Sequence, residues 1–231
     1  MKSHFYFGSR RINYALKHSD RRTLGITVTP ELDVLVMAPE GAELDEVKKR
    51  LRKRAPWIIK QQGFFLSFEP RTPPRRFVSG ETHLYLGRQY RLDVTHGNEE
   101  SVKLAGGRLV VTTADKSTAR KLVKNWYLHR ASIRFGQLAS PLVDRFKQYE
   151  VEPSGIVLRD MTRRWGSCTP AGKIILNPGL IKAPTGCIEY VITHELCHLI
   201  HHDHTSKFIE LQSREMPQWE KWKRKLETLL A

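Results

Sequence analysis

The string His194-Glu195-Leu196-Cys197-His198 constrains this chain more than any other, because it makes sense only on a helix with a metal ion beside it. One turn of α-helix separates His194 from His198, so both imidazoles leave the same face and can share one metal ion. Glu195 then lies beside the metal. This is the H-E-x-x-H arrangement, in which two histidines hold zinc and the glutamate takes a proton from the water that the metal activates. His204, six residues past the second histidine, is the natural third ligand. To bring it back the chain has to turn at Ile200 to Asp203. His201, His202 and Asp203 suit that turn, because histidine and aspartate enter left-handed backbone conformations more readily than most residues. His201 and His202 are also spare imidazoles, either of which could displace His204 as third ligand. A histidine-rich surface helix that collects metal adventitiously is the plainer alternative, but the string lies inside the apolar run Ile188 to Ile200.

Three neutral imidazoles leave the fourth position of tetrahedral zinc open for water, whose pKa then falls from about 15.7 toward about 7. Glu195 would accept its proton as general base and pass it to the leaving group. A peptide carbonyl and a phosphoanhydride phosphorus are both suitable electrophiles. For a peptide, the segment Lys173 to Asn177 is the expected edge strand against which an extended substrate lies. For phosphates, Arg163, Arg164, Lys173 and Lys207 are the cations near enough in sequence to line the cleft. Arg164 equally suits a structural pair that holds a turn. Trp165, Cys168 and Cys197 are expected as core groups, not as ligands or nucleophiles.

With 231 residues, 40% of them hydrophobic, the chain can bury a real core in one large domain or two small ones. No apolar run has transmembrane length, and the start, Met1-Lys2-Ser3-His4-Phe5, lacks the apolar stretch of a signal peptide. A cytoplasmic location without a membrane partner is therefore expected. Three cysteines without a C-x-x-C pair argue against a disulfide framework. The net charge of +15 should attract phosphates, in nucleic acid or in nucleotides, although a solvated surface accounts for charge equally well. The densest cluster is Lys48, Lys49, Arg50, Arg52, Lys53 and Arg54, on a helix predicted from Glu43 to Arg54 with Leu44, Val47 and Leu51 inward.

The periodicities predict an α+β fold. An N-terminal antiparallel β-rich part comes first, with strands around Ile12 to Leu16, Leu24 to Val28 and Leu32 to Val36. The basic helix follows, kinked or restarted at Pro56, and Pro70 to Arg76 reads as a linker. A second strand-rich stretch, Leu84 to Val111, could extend the first sheet. A helix from Lys116 to Tyr149, bent near Pro141, backs the catalytic core. Gly155 to Met161 and Lys173 to Asn177 look like a hairpin beside the metal helix, and Thr205 should cap a helix from Ser206 to Glu215 before a last one from Gln218 to Leu230. No internal repeat is evident. The expected division is a β-rich domain over residues 1–115 and a metallohydrolase core over 116–231.

Taken together, Arg164-Trp165-Gly166-Ser167-Cys168, Ile175-Leu176-Asn177, Ala183-Pro184, Tyr190-Val191, the histidine string, His204 and Phe208 resemble the YgjP-type metallohydrolases. These are zincin-like proteins allied to the SprT-like and WLM metallopeptidases. The likeness extends upstream to Gly80-Glu81, Leu86-Gly87 and Trp126-Tyr127, and downstream to Met216-Pro217. Where the family usually has an aromatic after the phenylalanine, this chain has Ile209, and Asp203-His204-Thr205 replaces the frequent Asn-His-Ser. Metzincin spacing also matches, but His201 stands where that group needs glycine. The resemblance implies a zincin-like core, zinc on His194, His198 and His204, Glu195 as catalytic base, and peptidase activity. Arg164, Lys173 and Asn177 are the candidate substrate contacts, and two other readings stay open: a nucleoside triphosphate pyrophosphatase using the same zinc site, and a nucleic-acid-binding protein with structural zinc.

Overall fold

Two four-stranded sheets of identical topology precede the helices that carry the histidine string. The computed structural model describes residues 2–29, 32–66, 75–161 and 164–230. In the first sheet β1 (Lys2–Phe7) pairs antiparallel with β2 (Arg10–Ser19), and β3 (Gly25–Val28) antiparallel with β4 (Val34–Pro39). β2 and β4 run parallel, giving the order β1-β2-β4-β3. In the second sheet β5 (Thr82–Tyr85), β6 (Arg88–His96), β7 (Ser101–Ala105) and β8 (Arg108–Thr113) repeat the pattern as β5-β6-β8-β7, with β6 and β8 parallel. A long helix follows each sheet, α1 (Leu44–Leu66) after the first and α2 (Ala119–Phe146) after the second.

This departs from the sequence reading in two ways: each sheet is mixed instead of an antiparallel meander, and the sheets remain separate. Burial explains the order of the strands. In β4, Val34, Val36 and Ala38 are essentially inaccessible, whereas β3 is mostly half-buried, so the more apolar later strand takes the central place and β3 the edge. The sequence carries no sign of this likeness, because it lies in strand order and not in matching residues.

Residues 1–73 and 74–230 form two compact units. The division differs from the expected one at 115/116 because Leu92 and Leu109 of the second sheet are buried in one core with Val123, Tyr127 and Phe135 of α2. The first unit has its own core, in which Val47, Leu51, Ala55 and Ile58 of α1 pack with Ile12, Tyr14 and Val36. Both long helices continue through a proline, Pro56 and Pro141. Each proline is exposed, as is the residue four positions before it, so water can satisfy the carbonyl that proline leaves without a donor. Of the expected linker, residues 70–74 lie outside the described residues.

The second unit continues with β9 (Gly155–Leu158), β10 (Gly166–Cys168) and β11 (Lys173–Leu176), then α3 (Thr185–Cys197), α4 (Ser206–Glu215) and α5 (Trp219–Leu230). The third sheet has the order β10-β11-β9. The expected hairpin between 155–161 and 173–177 is instead a parallel pair of β9 and β11, and the antiparallel partner of β11 is the three-residue β10, too short to register as a strand in the sequence. Among the described residues no helix is long and apolar enough to cross a membrane.

One turn ties the second sheet to the approach to α3. Leu86 and Gly87 both have positive φ, 48° and 78°, in the two-residue connection between β5 and β6, as a type I′ turn requires. Their N–H groups donate to the carbonyls of Ile181 and Lys182 at 2.9 and 3.0 Å. A Cβ on Gly87 would stand 2.6 Å from Pro184 Cγ, immediately before α3. Gly87→Ala is therefore expected to cost about 2–4 kcal/mol, from the left-handed conformation and overpacking together. Urea denaturation would read this as a lowered midpoint, and an unchanged midpoint would mean that the turn does not brace the helix.

Candidate metal centre

His194 and Glu195 lie in the last turn of α3, and His198 is its C-cap residue. The helix runs through the core, with Ile188, Ile192, Leu196 and Cys197 all inaccessible, and delivers its polar end to the surface. There the chain turns: Leu199 N–H donates to Leu196 O at 3.0 Å, and His201 N–H to Cys197 O at 2.9 Å. The turn begins at His198, earlier than expected, and uses no positive φ at His201, His202 or Asp203. His204 comes next, and Thr205 caps α4 by accepting the N–H of Phe208 at 3.4 Å, as its position predicted.

The turn brings His194, His198 and His204 together, with one nitrogen from each within 4.8 Å of the others. His194 Nδ1–H donates to Gln212 Oε1 at 3.0 Å and His198 Nδ1–H to the carbonyl of His201 at 3.1 Å. Each bond fixes the tautomer that leaves Nε2 with its lone pair free, the form a metal ligand needs. His194 Nε2 and His204 Nε2 are 3.1 Å apart. The Phe208 ring lies 4.7–5.0 Å, centroid to centroid, from all three imidazoles and forms an apolar floor. Burial, reinforced by the neighbouring imidazoles, lowers the His194 pKa to about 4 and also lowers that of His198. Both are neutral at pH 7. His201 contributes its carbonyl, and His202 lines the cleft outside the three-nitrogen group.

Glu195 is only 5% exposed. Burial raises its pKa to about 7, opposed by a hydrogen bond from the Cys168 N–H and by the charge of Arg164. The carboxylate fits because Gly166 of β10 has no side chain, since a Cβ there would meet Glu195 Oε1 at 2.5 Å and Val191 Cγ1 at 2.8 Å. β10 thus approaches α3 closely enough for its backbone to hold Glu195. The glycine is visible in the sequence, but its role requires knowing what packs above it.

A cleft of about 850 Å³ opens over the histidines, walled by β10, by the turn after α3, and by Lys223, Leu226 and Glu227 of α5. Arg164 lines it. Lys173 and Asn177 do not. Lys173 is exposed at the start of β11, which is the central strand of its sheet, so the strand at the cleft edge is β10 and not the expected Lys173 to Asn177. Asn177 is 8% exposed and uses its side chain structurally. Its amide nitrogen donates to the carbonyls of Met161 and Arg164 at 2.7 and 3.1 Å, and its Oδ1 accepts from Gly179 N–H at 2.9 Å. That bracing fixes the segment leading into β10. Arg163 lies outside the described residues. Trp165 and Cys168 are half-buried in the cleft wall, while Cys197 is fully buried.

The sequence reading missed Gln212 and Lys223. Gln212 had a signal: it stands four residues after Phe208 on the buried face of α4, where an amide at 1% exposure needs a partner. Lys223 had none, because only the packing of α5 on α3 brings it to the cleft.

A family model described as "YgjP-like, metallopeptidase domain" matches residues 22–229. No curated protein matches the chain.

The raised pKa of Glu195 has a stability consequence in chelator-treated protein. Between the unfolded value near 4.5 and about 7 the folded chain holds a proton that the unfolded chain has released, so this group's contribution to stability falls as pH rises through that window. His194, depressed to about 4, acts in the opposite direction below its unfolded value of 6.5. The difference between wild type and Glu195→Gln isolates the glutamate. The variant should gain about 3 kcal/mol relative to wild type between pH 4.5 and pH 7.5. A pH-independent difference in urea unfolding would show that Glu195 is not desolvated.

Proposed function

The chain belongs to the YgjP-like metallopeptidase-domain family, and from that premise we propose that it is a zinc-dependent peptidase working at the cleft over His194, His198 and His204. The observation that carries this reading is the convergence of three imidazole nitrogens beside one buried carboxylate. The donor set suits zinc, because two nitrogen ligands at ~2.0–2.1 Å in tetrahedral geometry lie ~3.3 Å apart, close to the 3.1 Å between His194 Nε2 and His204 Nε2. Bound there, zinc supplies Lewis acidity toward water and a substrate carbonyl.

The chain's own residues supply positioning and proton transfer. Burial raises the Glu195 pKa to about 7 in the metal-free chain, which strengthens it as a base for taking a proton and giving it to the departing amine, while the charge of a bound cation would draw that value down. The Cys168 N–H orients its carboxylate, and Gln212 and the His201 carbonyl orient the imidazoles. β10 also suits an extended peptide. Asn177 N–H donates to Trp165 O and Thr169 N–H to Lys173 O, each at 2.9 Å, so antiparallel parity turns the backbone groups of Gly166 and Cys168 away from β11. With the Cys168 N–H taken by Glu195, the backbone groups of Gly166 and the Cys168 carbonyl are left at the free edge of β10 for a peptide backbone to add as a further strand. A triphosphate fits less well: Asp203 and Glu227 share the cleft with Arg164 and Lys223 and offset their positive charge.

The test combines metal content with turnover of unstructured protein such as casein. His204→Ala should lose most of the one zinc per chain expected of wild type. Glu195→Gln should keep the metal and lose about 10²–10⁴-fold in turnover. Casein cleavage that persists in Glu195→Gln removes the glutamate from the chemistry. Glu195-dependent pyrophosphate release from nucleoside triphosphates, with no cleavage of casein, transfers the site to nucleotide hydrolysis. Gly166→Ala should likewise retain metal but lose activity, because its Cβ displaces Glu195.

A further inference from the structure

Among the described residues, those lining the metal cleft lie between Arg164 and Glu227, all in the second unit, while the basic helix belongs to the first. On α1, Val47, Leu51, Ala55 and Ile58 face the core, and the opposite face presents Lys49, Lys53, Trp57 and Lys60. These are spaced i, i+4, i+8 and i+11, so they form one stripe about 17 Å long. Lys48 and Arg50 have acidic neighbours, Asp45 at 3.9 Å and Glu46 at 3.1 Å. Lys49, Arg52, Lys53, Arg54 and Lys60 make no ion pair among the described residues.

A solvated helix face accounts for the lysines, and an indole that is 39% exposed stands in the middle of them. Trp57 is also one wall of a small cavity. With Arg54, one turn earlier on the same face, it meets Leu24 and Ile26 around a volume of about 220 Å³. Ile26 belongs to β3, the edge strand of the first sheet, so the cavity lies where the helix meets the open edge. It is smaller than the ~300–1,000 Å³ of drug-sized sites and suits one planar ring. A slot with an indole wall, two aliphatic side chains and an arginine at its rim, beside a row of cations that make no ion pair among the described residues, matches a splayed base attached to a phosphate chain.

We propose that the first unit is a binding site for single-stranded nucleic acid, in which a base enters the slot formed by Leu24, Ile26, Arg54 and Trp57 and the lysine stripe of α1 tracks the phosphates. Indole and guanidinium both stack on bases, and Arg54 can also fork onto a phosphate. A duplex keeps its bases stacked inside and cannot offer a face to Trp57, so single strands are the preferred form.

Fluorescence anisotropy of the full chain with short fluorescein-labelled oligothymidylate and oligouridylate tests this. Binding should weaken with salt, with a log–log slope near −2 to −3 for three or four neutralised phosphates. Trp57→Ala should weaken it about tenfold, whereas Trp57→Tyr, which keeps a stacking ring, should stay within about threefold of wild type. The Lys49→Glu/Lys53→Glu pair should flatten the slope by about 1.4 while casein turnover stays at the wild-type level. A matched duplex should bind at least about tenfold more weakly. The proposal is overturned by absence of binding, by equal affinity for duplex and single strand, or by equal binding of Trp57→Ala at an unchanged melting temperature. Stronger binding to polyglutamate or phosphatidylserine vesicles than to the oligonucleotides would equally overturn it.

Discussion

The close approach of β10 to α3 sets the character of the whole site. Without a side chain on Gly166, backbone and helix come near enough for the Cys168 N–H to reach Glu195 and for the strand to seal the carboxylate from water. Burying an ionised carboxylate is costly, and here one hydrogen bond and the charge of Arg164 offset only part of that cost, so the group rests near the midpoint of its titration at neutral pH. A fully solvated glutamate would be a weaker base. One held by several donors would be weaker still. The desolvation that makes the group costly is therefore the property that suits it to move protons.

The same packing explains why three histidines converge without help from unusual backbone. Because α3 is anchored along its length by buried apolar residues, its last turn is a rigid platform, and two imidazoles on it need only have their Nδ1 atoms engaged to fix their direction. The third arrives on a short turn, locked by the Thr205 cap and the Phe208 ring beneath all three. His204 is thus positioned by α4, on its C-terminal side, more than by the turn that leads out of α3.

Local rules were legible in the residues and long-range ones were not. The helix under His194 and His198, the cap at Thr205 and the buried stripes of α1 and α2 arise from spacings of a few residues, and the structure contains all of them. Strand order was illegible, because the placing of β4 between β2 and β3 depends on which of several apolar strands is buried most deeply. β10 escaped for a different reason. Three residues of strand carry no periodicity, yet that strand, and not the better patterned β11, borders the cleft. The edge expected at Lys173 to Asn177 is the central strand of its sheet, and neither Lys173 nor Asn177 lines the cleft. Asn177 instead spends its amide on the carbonyls that shape the run into β10.

The repeated sheet order has consequences for how roles divide along the chain. In the second copy, β5–β8 and α2 share a core with α3, and the Leu86–Gly87 turn bonds to the segment that enters that helix, so the copy is committed to supporting the metal site. The first copy has a core of its own, built from its sheet and α1, and the described residues that line the cleft all belong to the second unit. Among the described residues of the first unit, Leu24, Ile26 and Arg54 meet the Trp57 indole, which stays 39% exposed among the lysines of α1. The same strand order thus serves two different settings, one sheet sharing its core with the helix that carries His194 and the other closing a core with α1 alone.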